Sequence, residues 1–246
     1  MTSDDIRPVW QRVISDPIIL VSVLATALAI PRFIWLLNGQ YNLIIGIFLV
    51  MWVLPFLFLT KEGRTSIGIN KPQNRAWLPI AFVIGAGAAI LIHLIGYGWY
   101  GTTDENWYVT IMNSFNKNDL IADVKPNPGI FLLITLPSMI FSPVGEEFFF
   151  RGMVHDSFAA EYGQTKATFI DASFFGITHL AHHGLFYSAT GLSFHLSGLA
   201  WVLLMISVSI LFSWMRKKSG SIWGAVVCHA GFNLGMMFSI VYLLHE

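Results

Sequence analysis

Of the chain's 246 residues, 55% are hydrophobic and only 11% charged, whereas soluble domains carry about 25% charged residues. That composition excludes an ordinary soluble domain and requires an integral membrane protein. Fourteen Lys and Arg balance fourteen Asp and Glu with no basic tract, which excludes a nucleic-acid partner, and the lone Cys228 excludes an intrachain disulfide or a cysteine-built zinc cage.

Residues 6–14 place Ile6, Val9, Trp10, Val13 and Ile14 at helical spacing, which predicts a short helix lying in the membrane interface. Apolar stretches of spanning length then fall at about 18–37, 42–60, 78–100, 130–150, 168–187, 197–215 and 221–244. Ala27-Leu28-Ala29 looks like a signal-peptidase site. The preceding segment is too acidic (Asp4, Asp5, Asp16) and the apolar run too long for a signal, so it reads as a retained span. In the third span Ala81, Gly85 and Ala89 recur at four-residue steps, a surface for close helix packing. The loop 101–129 is acidic (Asp104, Glu105, Asp119, Asp123), with Trp99, Tyr100, Trp107 and Tyr108 as interfacial anchors. No internal repeat or soluble second domain is visible. The expectation is an all-α polytopic bundle of about seven transmembrane helices, one membrane domain over 1–246.

Seven crossings put the two termini on opposite sides. The N-terminal side collects Arg7, Arg12, Lys61, Arg64, Lys71, Arg75, Arg151, Lys166, Arg216, Lys217 and Lys218, eleven basic residues. The other side has Lys117 and Lys125, with Arg32 near that end of the first span. This bias predicts a cytoplasmic N-terminus and a multi-pass protein, most simply of the plasma membrane.

Polar residues inside spans are suspected of function because a charge at the bilayer centre costs roughly 2.5–3.5 kcal/mol on insertion scales. Glu146 and Glu147 are adjacent at the end of the fourth span. Glu147 and Arg151, four apart, are expected to pair. Glu146 is turned about 100° away, without a partner in its own helix, and an unpaired, partly desolvated carboxylate suits a general base. His179 lies in the fifth span with Phe175 one turn before it, and His229 and Asn233 share one face of the seventh. Counted from the expected cytoplasmic end of each span, these groups sit roughly 6–18 Å deep. A carboxylate, two imidazoles and an amide would then converge on one buried, cytoplasm-facing pocket, a set suited to hydrolysis. His182 and His183 read as structural or pore-lining. His93, His155, His195 and His245 belong to no constellation, and Asp171 is close enough to a span end to snorkel.

Glu146-Glu147-x-x-x-Arg151, Phe175-x-x-x-His179 and His229-x-x-x-Asn233, with Pro143 and Gly152 beside them, resemble the three motifs of the CAAX protease and bacteriocin-processing (CPBP or ABI) family, which includes the type II CAAX prenyl endopeptidases. The resemblance covers about 130–240, the expected catalytic core. It implies an intramembrane endopeptidase open to the cytosol, acting on a membrane-associated or lipidated peptide or protein in the lipid bilayer. Glu146 with His179 would activate water, His229 with Asn233 would form the oxyanion hole, and Glu147 and Arg151 would support them. No cofactor is expected. Zinc through Glu146, His179 and His229 is the alternative, although no helix-borne H-E-x-x-H pair is present. A non-catalytic scaffold or bacteriocin-immunity protein of the same fold is the competing function. A small transporter is a weaker one, since its expected repeat symmetry is missing.

Overall fold

The computed structural model describes residues 1–116 and 128–244. Lys117, Lys125, Asp119, Asp123 and His245, used in the sequence reading, lie outside the described residues. Seven long helices run in chain order: α1 (Pro17–Leu37), α2 (Ile44–Phe58), α3 (Trp77–Tyr100), α4 (beginning Pro128–Glu146), α5 (Gln164–Thr178), α6 (Ser197–Ser219) and α7 (Ile222–Phe238). Among the described residues six helices are long and apolar enough to cross a membrane. The exception is α5, which has 15 residues and carries Lys166 and Asp171, whereas α2, equally short, reaches spanning length with the 3₁₀ turn Tyr41–Leu43 before it.

Local sequence sets the helix ends. Asp16 caps α1, its carboxylate accepting from the N–H groups of Ile18 at 2.7 Å and Ile19 at 3.2 Å, and Pro17 takes the first helical position, where no N–H is needed. Ser221 caps α7 through the Trp223 N–H, just after Gly220 ends α6 at φ 68°. The first helical segment is shorter than expected: only Pro8–Gln11 is α-helical. Trp10 packs on Phe58 at 4.7 Å between ring centroids, while Val9 and Val13 stay exposed as an interfacial segment requires.

Two spans depart from expectation. The fourth does not stop at 150. After Glu146 it continues as a π-helical stretch, Glu147–Val154, and then as α-helix to Tyr162. The fifth ends early, at Thr178, followed by a 3₁₀ turn His179–Ala181 and a hairpin of β1 (Leu185–Ser188) against β2 (Gly191–Phe194), antiparallel with Leu185 opposite Phe194. Gly184 and Gly191, at φ 118° and 113°, provide the backbone that helix cannot.

The small-residue face of α3 meets α7 as expected. A Cβ on Gly85 would lie 1.9 Å from the Cys228 carbonyl oxygen, and one on Gly231 would lie 2.1 Å from that of Phe82. Only glycine allows backbones to approach so closely. Cys228 is buried there as a packing residue.

Contacts sort the connections onto two faces. On one, Arg7 donates to the Leu59 carbonyl, Gln73 N–H to that of Ser219, and Ile222 N–H to that of Gly68, while Arg216 pairs with Asp156 at 2.8 Å. This is the basic face. On the other, His195 bonds Glu105 at 2.8 Å, and His183 bonds Ser197 at 2.8 Å and Thr110 at 3.0 Å. Short as it is, α5 with its 3₁₀ turn connects the two faces, so the seven helices alternate in direction.

Candidate active site

The site forms where the fourth helix changes from α to π. Pro143 has no N–H for the intrahelical ladder, and the π stretch begins four residues later, a feature that recurs at functional sites. Glu146, Glu147 and Arg151 are all fully buried.

Glu147 and Arg151 pair at 3.1 Å, as the i, i+4 spacing predicts. The other Glu147 oxygen, Oε1, lies 2.7 Å from Nδ1 of His229. Glu147 therefore touches both a cation and an imidazole, and it sets the His229 ring, which also stacks on Phe212 at 4.7 Å. Arg151 lies over the Phe175 ring at 4.1 Å. Asp171, expected to snorkel, is instead fully buried and faces Arg151 at 3.9 Å. The reason is that α5 packs directly against the π stretch, enclosing the aspartate between them.

Glu146 corrects the sequence reading more sharply, because it is paired. Arg32 of α1 donates to its Oε1 at 2.6 Å, and Ser142, one turn earlier in its own helix, donates to Oε2 at 3.0 Å. Nε2 of His229 is 3.7 Å from Oε2. Arg32 also donates to Nε2 of His182 at 3.0 Å, so His182, read as structural, belongs to the site's edge.

His179 bonds the Phe175 carbonyl through Nδ1 at 2.7 Å. A carbonyl only accepts, so Nδ1 carries the proton and Nε2 is the basic nitrogen. Asn233 donates through Nδ2 to the Ser138 carbonyl at 2.7 Å. The second amide hydrogen remains for another acceptor.

Glu146, His179, His229 and Asn233 all line one cavity of about 470 Å³, walled by Phe48, Phe141, Phe175, Phe212 and Phe232. Glu147 and Arg151 do not line it and act from behind. The cavity continues past Ile45 and Ile134 to Tyr41 and Asn42, on the face opposite the basic loops. The depth expected from sequence assumed a span ending at 150. Glu146 lies ten residues before Asp156, which pairs with Arg216 on the basic face, about 15 Å of helix. A second cavity of about 780 Å³, bordered by the hairpin, shares Leu36, Tyr41, Ser114 and His182 with the first.

Among the described residues no three His, Cys, Asp or Glu side chains form a metal-holding group, and one Glu146 oxygen is already bound to a guanidinium. The remaining histidines build structure. His93 lies near Tyr97 and Tyr108, each 6.0 Å away, and His155 bonds Asp156 at 2.8 Å. His195 anchors the hairpin to Glu105, whose carboxyl is held below its ordinary value by hydrogen bonds from Ser197 and His195.

Residues 128–235 match the family model described as Rce1-like, type II CAAX prenyl endopeptidase. This stretch is similar to the CAAX-protease family. It spans somewhat under half of the chain and contains every motif residue named above. No curated protein and no solved structure matches the chain significantly. The similarity supports intramembrane CAAX-protease activity in general. Arg32 lies outside the matched stretch, in α1, yet it makes the shortest polar contact given for Glu146.

Proposed function

We propose that this protein is an intramembrane endopeptidase of the glutamate type, cutting a peptide bond of a membrane-associated or lipidated peptide or protein. The observation that supports this most is the convergence of Glu146, His179, His229 and Asn233 on one cavity with apolar walls. Proteolysis needs a base for water, donors for the oxyanion and exclusion of bulk solvent. Glu146 takes a proton from the attacking water with His179 Nε2 as the second acceptor. The hydroxide adds to the carbonyl carbon. The amide of Asn233 and the imidazole of His229 receive the oxyanion, and the abstracted proton passes to the leaving amine as the C–N bond breaks. Glu147 orients His229, and Arg151 holds Glu147.

No metal takes part in this reading: Arg32 neutralises Glu146 through Oε1, and Oε2 is left to take the proton of water. The eleven-to-two basic bias supports a cytoplasmic N-terminus in the plasma membrane. On that orientation Glu146, ten residues before the basic-face contact of Asp156 with Arg216, lies in the cytoplasmic half of the bilayer.

The test compares membrane proteomes of cells carrying the native chain with those carrying Glu146→Ala. Uncut precursors should accumulate in the variant, and one such precursor, purified, should be cut by the native protein alone. Identical proteomes, or a Glu146→Gln protein that still cuts, would defeat the reading.

A further inference from the structure

An arginine inside a span is costly and is kept only with partners. Arg32 is buried, 1% exposed, five residues before the end of α1 and outside the family-matched segment. Its Nη1 donates to Glu146 Oε1 at 2.6 Å and its Nη2 to His182 Nε2 at 3.0 Å. Since a guanidinium only donates, Nε2 of His182 accepts, and the His182 ring fixes the arginine from behind. Oε1 of Glu146 is thereby committed. Oε2 is left between the Ser142 hydroxyl at 3.0 Å and His229 Nε2 at 3.7 Å, at the edge of the cavity.

We propose that Arg32, backed by His182, is a positioning residue for Glu146: it holds the carboxylate ionised and turns Oε2 toward the water to be activated. This deepens the protease reading and rests on it for the identity of the water. The catalytic domain is then incomplete without a helix that its family motifs do not include. Glu147 depends on Arg151 in the same way, but that arginine comes from its own helix. Each glutamate of the pair thus has its own cation, and only the one facing the cavity borrows its cation from α1.

The experiment needs no substrate. N,N′-Dicyclohexylcarbodiimide is apolar, enters membranes and modifies protonated carboxyls, leaving ionised ones alone. The full chain in lipid nanodiscs is treated at neutral pH and digested, and modification at Glu146 and Glu147 is measured by mass spectrometry. Native Glu146 should be nearly unmodified, Arg32→Lys close to native, and Arg32→Gln modified at least about tenfold more, the scale of one lost charge-assisted hydrogen bond. Glu147, still paired with Arg151, should not change in any of them. His182→Ala, which keeps the arginine, should fall between native and Arg32→Gln, and it carries the test if Arg32→Gln fails to fold. Equal modification of Glu146 in native, His182→Ala and Arg32→Gln proteins would overturn the proposal. On a purified precursor, Arg32→Gln should lower kcat by about 10–100-fold with KM within about twofold. Failure of the protease reading removes this last measurement and leaves the modification result standing.

Discussion

Replacing Glu147 by Gln should destabilise the protein strongly without removing the base. Glu147 is fully buried and touches Arg151 at 3.1 Å and His229 at 2.7 Å. The substitution leaves Arg151 with Asp171 as its one remaining anion, at 3.9 Å. Removing one partner of a buried pair costs roughly 3–5 kcal/mol. Arg151→Gln should cost more, because it also forfeits the stacking over Phe175 at 4.1 Å, worth up to about 2 kcal/mol when desolvated. It leaves two carboxylates, Glu147 and Asp171, without their cation. The double variant should be less damaged than the sum of the two, since both remove one interaction. At roughly 2–4 °C per kcal/mol for a chain of this size, Glu147→Gln should lower the melting point by about 6–20 °C. Tryptophan fluorescence during heating of the detergent-solubilised protein measures this. Glu147→Gln should still cut, at a rate reduced by the loosened His229, whereas Glu146→Gln should lose about 10²–10⁴-fold. Glu146→Gln should also lose some stability, because Arg32 forfeits its anion and keeps His182 alone. A Glu147→Gln protein as stable as the native one, or one that is inactive while Glu146→Gln still cuts, would refute this division of roles.

Thiol labelling of intact cells with an impermeant reagent checks orientation: a cysteine at Lys217 should be protected and one at Asn42 should react, and the reverse pattern would overturn the cytoplasmic N-terminus. Exhaustive chelation should leave activity on a purified precursor unchanged, and loss that zinc specifically restores would turn Glu146, His179 and His229 into ligands. Gly85→Val should prevent accumulation of folded protein, because even its Cβ would meet the Cys228 carbonyl at 1.9 Å. Gly87→Val, where nothing lies within 4 Å, should be tolerated, and equal behaviour of the two in a fluorescence-detected size-exclusion assay would refute the close approach of α3 and α7.

The residues of the site were legible where the signal is local. Glu147 and Arg151 are one helical step apart, and so are His229 and Asn233, so their shared faces follow from spacing alone. The small face of α3 was readable for the same reason. Arg32 was not, because its contact with Glu146 crosses 114 residues and no periodicity encodes such a pairing. The cost of an arginine within a span was the available signal, and position near a span end hid it. Asp171 was misread likewise, since its burial depends on α5 lying against the π stretch. The hairpin was missed because length and apolarity alone carried the fifth span through 187, past the glycine at 184.

The cavity lining runs from the motif residues to Tyr41 and Asn42. The three motifs fix which groups meet, but they say nothing about the compartment those groups face. Compartment depends on loop charge, and here the charges gather at 1–12, 61–75 and 216–218, tied together by the contacts of Arg7, Gly68 and Arg216. Beside the cavity lies a second one, bordered by the hairpin. His182, one of the residues that line both cavities, also holds Arg32. Entry from the bilayer is also open, because Ile45 and Leu133 line the cavity and are themselves exposed on the lipid-facing surface of α2 and α4. A peptide whose apolar part enters between those helices, and whose polar part stays near the hairpin, fits both openings at once.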